Sequence, residues 1–192
     1  MPAKLAPELQ LTVEEFLAFT QTRPDEERWE LIEGVPVMNA SPTNWHQFIV
    51  RNLVFELGLI SKARRLPWVA VPGIGTHVPA SRQSLPTPDV QVLSRGGGAV
   101  SSSTTTDALV LFEVLSKSNT KADQSWRRKV YASIPNCQHY VTVSTKSAEV
   151  VRYDRADGWK GEHLNELDAS LDLPAIDVTI PLRDIYRWTP IK

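Results

Sequence analysis

The sequence predicts a single α/β domain in which helices flank a central mixed sheet. The middle of the chain runs strand, loop, strand, helix, strand, which is the order of a mixed α/β core and not of separate sheet and helix domains. Ala108–Leu115 is apolar at nearly every position, as expected of a strand buried on both faces. The 192 residues suit one domain, with 11–188 expected as its ordered core.

Local signals predict three elements near the start of the chain. Thr12 and Glu15 have the spacing of a capping box, which marks the beginning of a helix. Glu33-Gly34 separates two alternating apolar runs, as in a tight hairpin turn. Apolar residues then recur at the helical period, with Gly58 near the expected helix end. The predicted elements are a helix over 11–20, a hairpin over 29–38 and a helix over 42–59.

Short strands and two further helices are predicted in the rest of the chain. The segment 94–106 contains Gly96-Gly97-Gly98 and is too polar to bury itself, so we expect a flexible loop between two strands. The other predicted elements are an irregular strand pair over 68–78, a loop over 82–88, strands over 89–93, 108–115, 139–143, 149–153, 159–163 and 178–181, and helices over 122–133 and 182–188.

Charge and composition restrict the classes of function. The net charge of −1 argues against a broad basic surface that grips DNA. Basic residues cluster only at 62–65 and 121–129, so we expect weak, salt-sensitive DNA binding or an acidic metal site with a basic rim. A single cysteine, Cys137, gives no internal disulfide, and no apolar stretch predicts a signal peptide or a membrane span. We therefore expect a cytoplasmic protein without a membrane partner or an organic cofactor.

Two carboxylates interrupt apolar strand patterns. Asp89 begins one predicted strand and Glu113 lies inside another. A buried, unpaired carboxylate is costly, and two neighbouring ones are worse without a cation between them. A hard divalent ion such as Mg²⁺, held by carboxylates and a main-chain carbonyl, resolves the conflict. The alternatives are that Asp89 caps a turn and that Glu113 pairs with an arginine of the following helix.

Two further side chains are candidates for the same site. Arg127 and Tyr131 are four residues apart and share one helix face. Arg127 could stabilise charge on a phosphate, or it could form a salt bridge to Glu113 or remain solvated. His46, at the beginning of the first long helix, could contact phosphate or water. A structural hydrogen bond at the helix start is the alternative for His46.

Several short motifs, in one order along the chain, resemble the Uma-two family of the PD-(D/E)XK nuclease superfamily. The resemblance covers roughly 11–188. It rests on Glu30-Leu31-Ile32-Glu33-Gly34, His46-Gln47, Pro88-Asp89-Val90, Phe112-Glu113-Val114-Leu115-Ser116, Ser118-Asn119-Thr120, Asp123, Tyr131, Ile134-Pro135 and His139-Tyr140-Val141.

This resemblance implies a restriction-endonuclease-like fold with an N-terminal helix and hairpin, and a site for Mg²⁺ or Mn²⁺. It implies Asp89 and Glu113 as metal ligands, with the Val114 carbonyl and Glu30 as further ligands and Glu33 as the weaker acidic candidate. The sequence departs from the superfamily pattern where a lysine is expected. Leu115 stands at the superfamily position, and Arg127 stands where the family has a lysine on the next helix, with Lys129 on a different face.

The expected function is a metal-dependent endonuclease that hydrolyses DNA phosphodiester bonds with metal-activated water. The alternative is a catalytically weakened or inactive nuclease-fold domain that binds nucleic acid or a protein partner. Hydrolysis of another phosphate ester is a third hypothesis, although Gly96-Gly97-Gly98 lacks the lysine and helix of a phosphate-binding loop. Nucleases that cut both strands are often twofold dimers, so a homodimer is also expected.

Overall fold

A six-stranded mixed sheet forms the centre of the protein, with one long helix on one face and a shorter helix on the other. The computed structural model describes residues 3–4, 10–95, 104–116 and 119–192. The helices in these ranges are α1 (Val13–Thr20), α2 (Asn44–Arg64), α3 (Lys121–Ala132) and α4 (Leu182–Ile185), with a 3₁₀ turn at Pro174–Ile176. Within the same ranges, no helix combines the length and the apolar character needed to cross a bilayer.

The strands divide into the central sheet and three small sheets. They are β1 (Ala3–Lys4), β2 (Trp29–Ile32), β3 (Val35–Met38), β4 (Trp68–Pro72), β5 (Gly75–Thr76), β6 (Val90–Ser94), β7 (Thr104–Thr105), β8 (Ala108–Leu115), β9 (His139–Ser144), β10 (Val150–Asp154), β11 (Gly161–Leu164), β12 (Ser170–Leu173) and β13 (Val178–Pro181). The central order is β11-β10-β9-β8-β6-β4, and β8 and β9 form its parallel pair. The small sheets are β1-β3-β2, β12-β13 and β5-β7.

Successive side chains of β8 face opposite sides of the sheet and therefore belong to two separate hydrophobic cores. Val110, Phe112 and Val114 pack with Leu53 and other apolar residues of α2. Leu111 belongs to the core beneath α3. Because successive residues of a strand face opposite sides, Glu113 lies on the same face as Leu111, under α3. The position of Glu113 in the strand therefore determines which helix can supply its partners.

The N-terminal helix and hairpin form as predicted. The Thr12 hydroxyl accepts from the Glu15 amide at 3.3 Å, and the Glu15 carboxylate accepts from the Thr12 amide at 2.8 Å, which completes the capping box. Glu33 and Gly34 have positive φ values of 49° and 81°, as a two-residue hairpin turn requires. Leu31 then bridges to Leu85 in the segment before β6, which brings the hairpin next to the central sheet.

Several expected boundaries are corrected by tertiary contacts. The helix predicted over 42–59 continues to Arg64, because Leu57 and Ser61 remain buried and Gly58 lies on its open face. The predicted closing helix stops at Ile185, and β12 was not predicted. The predicted pair over 68–78 separates into β4 of the central sheet and β5, which pairs with β7. Of the loop predicted over 94–106, residues 96–103 lie outside the described part, and the limits 11–188 of a single domain stay a prediction.

The two faces of α2 predict opposite sensitivities to truncation. Leu53 is fully buried, whereas Leu59 is 48% exposed. Leu53→Ala is expected to lower the free energy of unfolding by about 2–5 kcal/mol, because it leaves a cavity in the core. The matched Leu59→Ala should change it by less than about 1 kcal/mol. Urea unfolding followed by circular dichroism measures both, and equal losses would contradict this assignment of faces.

Candidate active site

Asp89 lies where the ladder between β6 and β8 ends. Val90 pairs with Phe112 in the last register of that ladder. Beyond it, the Val114 amide donates to Asp89 Oδ2 at 2.7 Å. The N–H and C=O of one strand residue point to the same edge, so the Val114 carbonyl also faces this gap. The Asp89 side chain is 24% exposed, so the gap opens to solvent at this carboxylate.

Glu113 is buried beneath α3 and is held by two residues of that helix. Its Oε1 accepts from Arg127 Nη1 at 2.8 Å and from the Tyr131 hydroxyl at 2.6 Å. Arg127 Nη1 also donates to the Tyr131 oxygen at 3.2 Å. One helical turn separates Arg127 and Tyr131, so both side chains reach the same carboxylate. The structure thus contains the Arg127–Glu113 salt bridge that the sequence had left as an alternative.

Glu30 shares the same guanidinium. Arg127 Nη2 lies 2.6 Å from Glu30 Oε2, and Arg127 Nε lies 3.5 Å from Asp123 Oδ1. The other oxygen of Glu30 accepts from the Thr87 amide at 3.3 Å, two residues before Asp89. The Arg127 side chain is only 7% exposed. Arg127 therefore joins the hairpin, β8 and α3, while Lys129 is exposed on another face of the helix.

His46 reaches Asp89 from the first turn of α2. Its Nε2 lies 3.3 Å from Asp89 Oδ1. The Thr43 hydroxyl accepts from the His46 amide at 3.3 Å and so caps the helix that positions the ring. Among the described residues, His46 Nδ1 is buried and has no hydrogen-bond partner. The structure therefore brings His46, Asp89, Glu113, Arg127 and Glu30 together, as the sequence analysis grouped them.

The site carries more negative than positive charge. Burial raises the pKa of Glu113 from 4.5 to about 8, and the negative charges of Asp89 and Glu30 add to this effect against the opposing influence of Arg127. Burial alone would lower the pKa of Arg127, but Glu113 and Glu30 hold it well above its ordinary value. One guanidinium thus donates hydrogen bonds to Glu113 and Glu30 and forms a longer ion pair with Asp123. Asp89 is a fourth carboxylate nearby, so binding of a proton or of a further cation to this cluster is favoured.

The oxygen donors at this gap suit a hard divalent ion. Mg²⁺ in proteins takes one or two carboxylates together with carbonyl and water oxygens. Asp89 and the Val114 main chain stand at the gap, and Glu113 is close enough to Asp89 for their negative charges to interact. Within the ranges that the structure describes, no group of three or more His, Cys, Asp or Glu residues is arranged to hold a metal ion. Glu30 is engaged by Arg127 and Thr87, which leaves two carboxylates for such an ion.

Two contacts around the site were not predicted from the sequence. Tyr131 was noted there only as a motif residue on the face of Arg127, yet its hydroxyl donates a hydrogen bond to Glu113. The spacing of four residues from Arg127 was the signal that could have assigned it. Glu33, the weaker acidic candidate, accepts from the Trp126 indole at 3.1 Å. Glu33 thus ties the hairpin turn to α3.

A central mixed sheet flanked by helices, with Asp89 just before β6 and Glu113 within β8, agrees with the restriction-endonuclease-like class of α/β fold. The chain belongs to the Uma2 family, because the family model described as "Uma2: Putative restriction endonuclease" matches residues 13–183. The fold also matches the crystal structure of a protein described as a putative nuclease belonging to DUF820, from Anabaena variabilis ATCC 29413. That match has a TM-score of 0.75 and 18% identity, and it covers 93% of this chain and 98% of that chain. No curated protein matches the chain.

These findings confirm the fold class and the family resemblance predicted from the sequence. At 18% identity the structural match shows the fold alone. The family description supports a nuclease, and metal dependence stays a prediction.

Glu113 is expected to make the stability of the protein depend on pH. Its pKa of about 8 exceeds the 4.5 of an unfolded chain, so the folded state binds more protons between these values. The free energy of unfolding should therefore fall as pH rises from about 5 to about 8. Glu113→Gln should flatten this slope in urea unfolding with EDTA, whereas the exposed control Glu166→Gln should keep it. Equal slopes in all three proteins would contradict the raised pKa.

Arg127 is expected to be essential for stability because it neutralises buried carboxylates. Arg127→Met should lower the free energy of unfolding by about 3–5 kcal/mol, since it leaves Glu30 and Glu113 buried without a counter-ion. The same substitution should cost less in a Glu30→Gln/Glu113→Gln background. A mutant cycle in urea measures this coupling. Additive losses would show that the ion pairs contribute nothing beyond packing.

Proposed function

We propose that this protein is a metal-dependent endonuclease that hydrolyses phosphodiester bonds in DNA. The observation that carries the proposal is the hydrogen bond from the Val114 amide to Asp89 where β6 ends beside β8, with the charge of Glu113 close enough to interact with that of Asp89. Membership of a family described as restriction endonucleases supports the nuclease assignment and DNA as substrate. A homodimer and a cytoplasmic location stay predictions from the sequence.

Asp89, Glu113 and the Val114 carbonyl would hold Mg²⁺ or Mn²⁺. Such an ion, when bound, lowers the pKa of a coordinated water and offsets negative charge on the phosphate. In this arrangement the Val114 amide and His46 fix the Asp89 carboxylate. Glu113 has one oxygen committed to Arg127 and Tyr131. The binding residues would therefore be oriented before the substrate arrives.

In this proposal Arg127 positions Glu113 and does not contact the phosphate. All its nitrogens face carboxylates of the protein, and the side chain is nearly inaccessible. An arginine also stays protonated, so it cannot remove a proton from water as a lysine with a lowered pKa could. Glu30 is then the second counter-ion of Arg127 rather than a metal ligand. This assignment differs from the phosphate contact that was one alternative for Arg127 and from the metal-ligand role that the resemblance implied for Glu30.

The internal use of Arg127 also favours the alternative of a weakened or inactive nuclease fold. A guanidinium that is buried and paired with carboxylates cannot stabilise charge on a phosphate, so only the metal would do so.

The endonuclease and the non-catalytic domain differ in metal binding and in cleavage. Calorimetric titration with Mn²⁺ should release or absorb measurable heat in the wild type and not in Asp89→Asn if the proposed site exists. Absence of binding in the wild type would support the non-catalytic domain.

Nicking of supercoiled plasmid tests the activity directly. With Mg²⁺ or Mn²⁺, the wild type should convert supercoiled DNA to nicked circles, and EDTA should stop the reaction. Asp89→Asn and Glu113→Gln should each lower the rate by about 100-fold or more, since loss of a residue that merely supports a ligand costs about 10–100-fold. Glu166→Gln, an exposed acid elsewhere, should keep wild-type activity. Undiminished cleavage by both site variants would overturn the proposal.

A further inference from the structure

The outer face of α2 exposes large apolar side chains that neither the core nor the site uses. Trp45, Phe48, Phe55 and Leu59 are 44, 36, 44 and 48% exposed. At about 100° per residue, the four lie within roughly 80° of one another around the helix. The basic side chains of Arg51 and Lys62 border the same stripe by this spacing. We call these six residues the aromatic face.

The aromatic face is held in a fixed arrangement. The Trp45 and Phe48 ring centroids are 5.8 Å apart, and the Arg51 guanidinium lies 5.4 Å from the centre of the Phe55 ring. The opposite side of α2 is anchored in the core through Leu53. Rings mounted on an anchored helix lose little further freedom on binding, so they suit a partner with flat apolar surfaces.

Charge identifies the kind of partner. The helix and its cap carry Arg51, Lys62, Arg64 and Arg65 against one acid, Glu56, although the whole chain has a net charge of −1. Arg64 pairs with Asp177, so the positive charge of this surface rests on Arg51, Lys62 and Arg65. The Glu56 side chain is 17% exposed and faces Arg187 at 3.8 Å. Two copies of this face would bring like charges together, which opposes self-association. An anionic partner with planar groups could pair with the basic side chains and stack on the aromatic rings.

We propose that the aromatic face binds single-stranded DNA, with bases stacked on Trp45, Phe48 and Phe55 and phosphates near Arg51 and Lys62. Single-strand binding surfaces combine aromatic platforms with basic side chains, because every base offers a π face and every nucleotide a negative charge. The inference rests on the proposed function for the choice of DNA as the nucleic acid. It adds that the substrate contains an unpaired strand.

The helix links this face to the candidate active site. Trp45 precedes His46, whose ring contacts Asp89 on the other side of α2. A helix with its side chains is only about 10 Å across. A strand that lies along the aromatic face can therefore turn over the beginning of α2 and reach the carboxylates. The unpaired strand would then be positioned before cleavage.

Fluorescence anisotropy with a 5′-fluorescein oligothymidylate tests the proposal, in EDTA and at low salt so that cleavage does not occur. The oligonucleotide should bind at least about tenfold more tightly than a labelled hairpin duplex of the same length. Phe55→Ala should weaken binding by about tenfold, the effect expected from loss of one stacked base. Leu59→Ala removes a comparable apolar group without a ring and should weaken binding less than about threefold.

Gly58 allows a second variant pair that tests charge without disturbing the fold. A side chain added at Gly58 meets nothing within 4 Å, and the position is exposed between Phe55 and Lys62. Gly58→Glu should weaken oligothymidylate binding by about tenfold or more, because it places a negative charge among the phosphates. Gly58→Gln has the same shape without the charge and should bind like the wild type.

Three results would overturn the inference. They are equal affinity for the oligonucleotide and the duplex, equal effects of Phe55→Ala and Leu59→Ala, and a dimer in light scattering that Phe55→Ala dissociates. The last would assign the face to a second copy of the chain. Because binding is measured without metal, failure of plasmid nicking would count against the proposed function and leave this inference standing.

Discussion

The buried guanidinium of Arg127 is the interaction on which the arrangement of the site depends. It binds Glu30 of the hairpin and Glu113 of the central sheet from a position on α3. Placing such charges in the interior is costly unless they are paired and hydrogen-bonded. The forked geometry of arginine pairs with both carboxylates at once, which the single ammonium of a lysine does less well. The hairpin is therefore held in a defined position against β8 and α3, which follow it at a long distance in the sequence.

The cluster around Arg127 has an excess of negative charge, and its exposed member is Asp89 at the open gap. Arg127 cannot neutralise Glu30, Glu113 and Asp123 together, and Asp89 stands beside them at the open gap. Burial raises the pKa of Glu113, and the negative charges of Asp89 and Glu30 raise it further, so the cluster favours a proton or a cation. The acidic gap repels phosphate, whereas the aromatic face of α2 attracts it. Binding of DNA and assembly of the metal site would thus be carried by different sides of one helix.

Local sequence patterns correctly predicted those helices and strands whose limits depend only on residues nearby in the sequence. The bounds of Ala108–Leu115 follow from a continuous apolar run, and the start of α1 follows from the Thr12–Glu15 capping box. The pairing of Arg127 with Glu30 joins residues 97 positions apart, and no local spacing encodes it. The separation of β4 from β5 likewise depends on which distant strands pair with each. Strand position and resemblance indicated which candidate residues lie close together, and the Arg127–Glu113 pair was one of two alternatives, whereas the contact of Arg127 with Glu30 was not predicted.

Leu115 and Arg127 occupy the two positions at which the family resemblance implied a lysine. By the alternation of β8, residue 115 lies on the face of Glu113, so a lysine there would add a second cation to the cluster. Leucine adds none, and the one cation that remains is enclosed and permanently charged. Neither position therefore supplies a general base, and His46 is the neighbouring side chain of the gap that can exchange protons. In the proposed function, an ion bound by Asp89 and Glu113 would supply both the activation of water and the stabilisation of phosphate charge, so metal binding would be the step that separates an active enzyme from a binding domain.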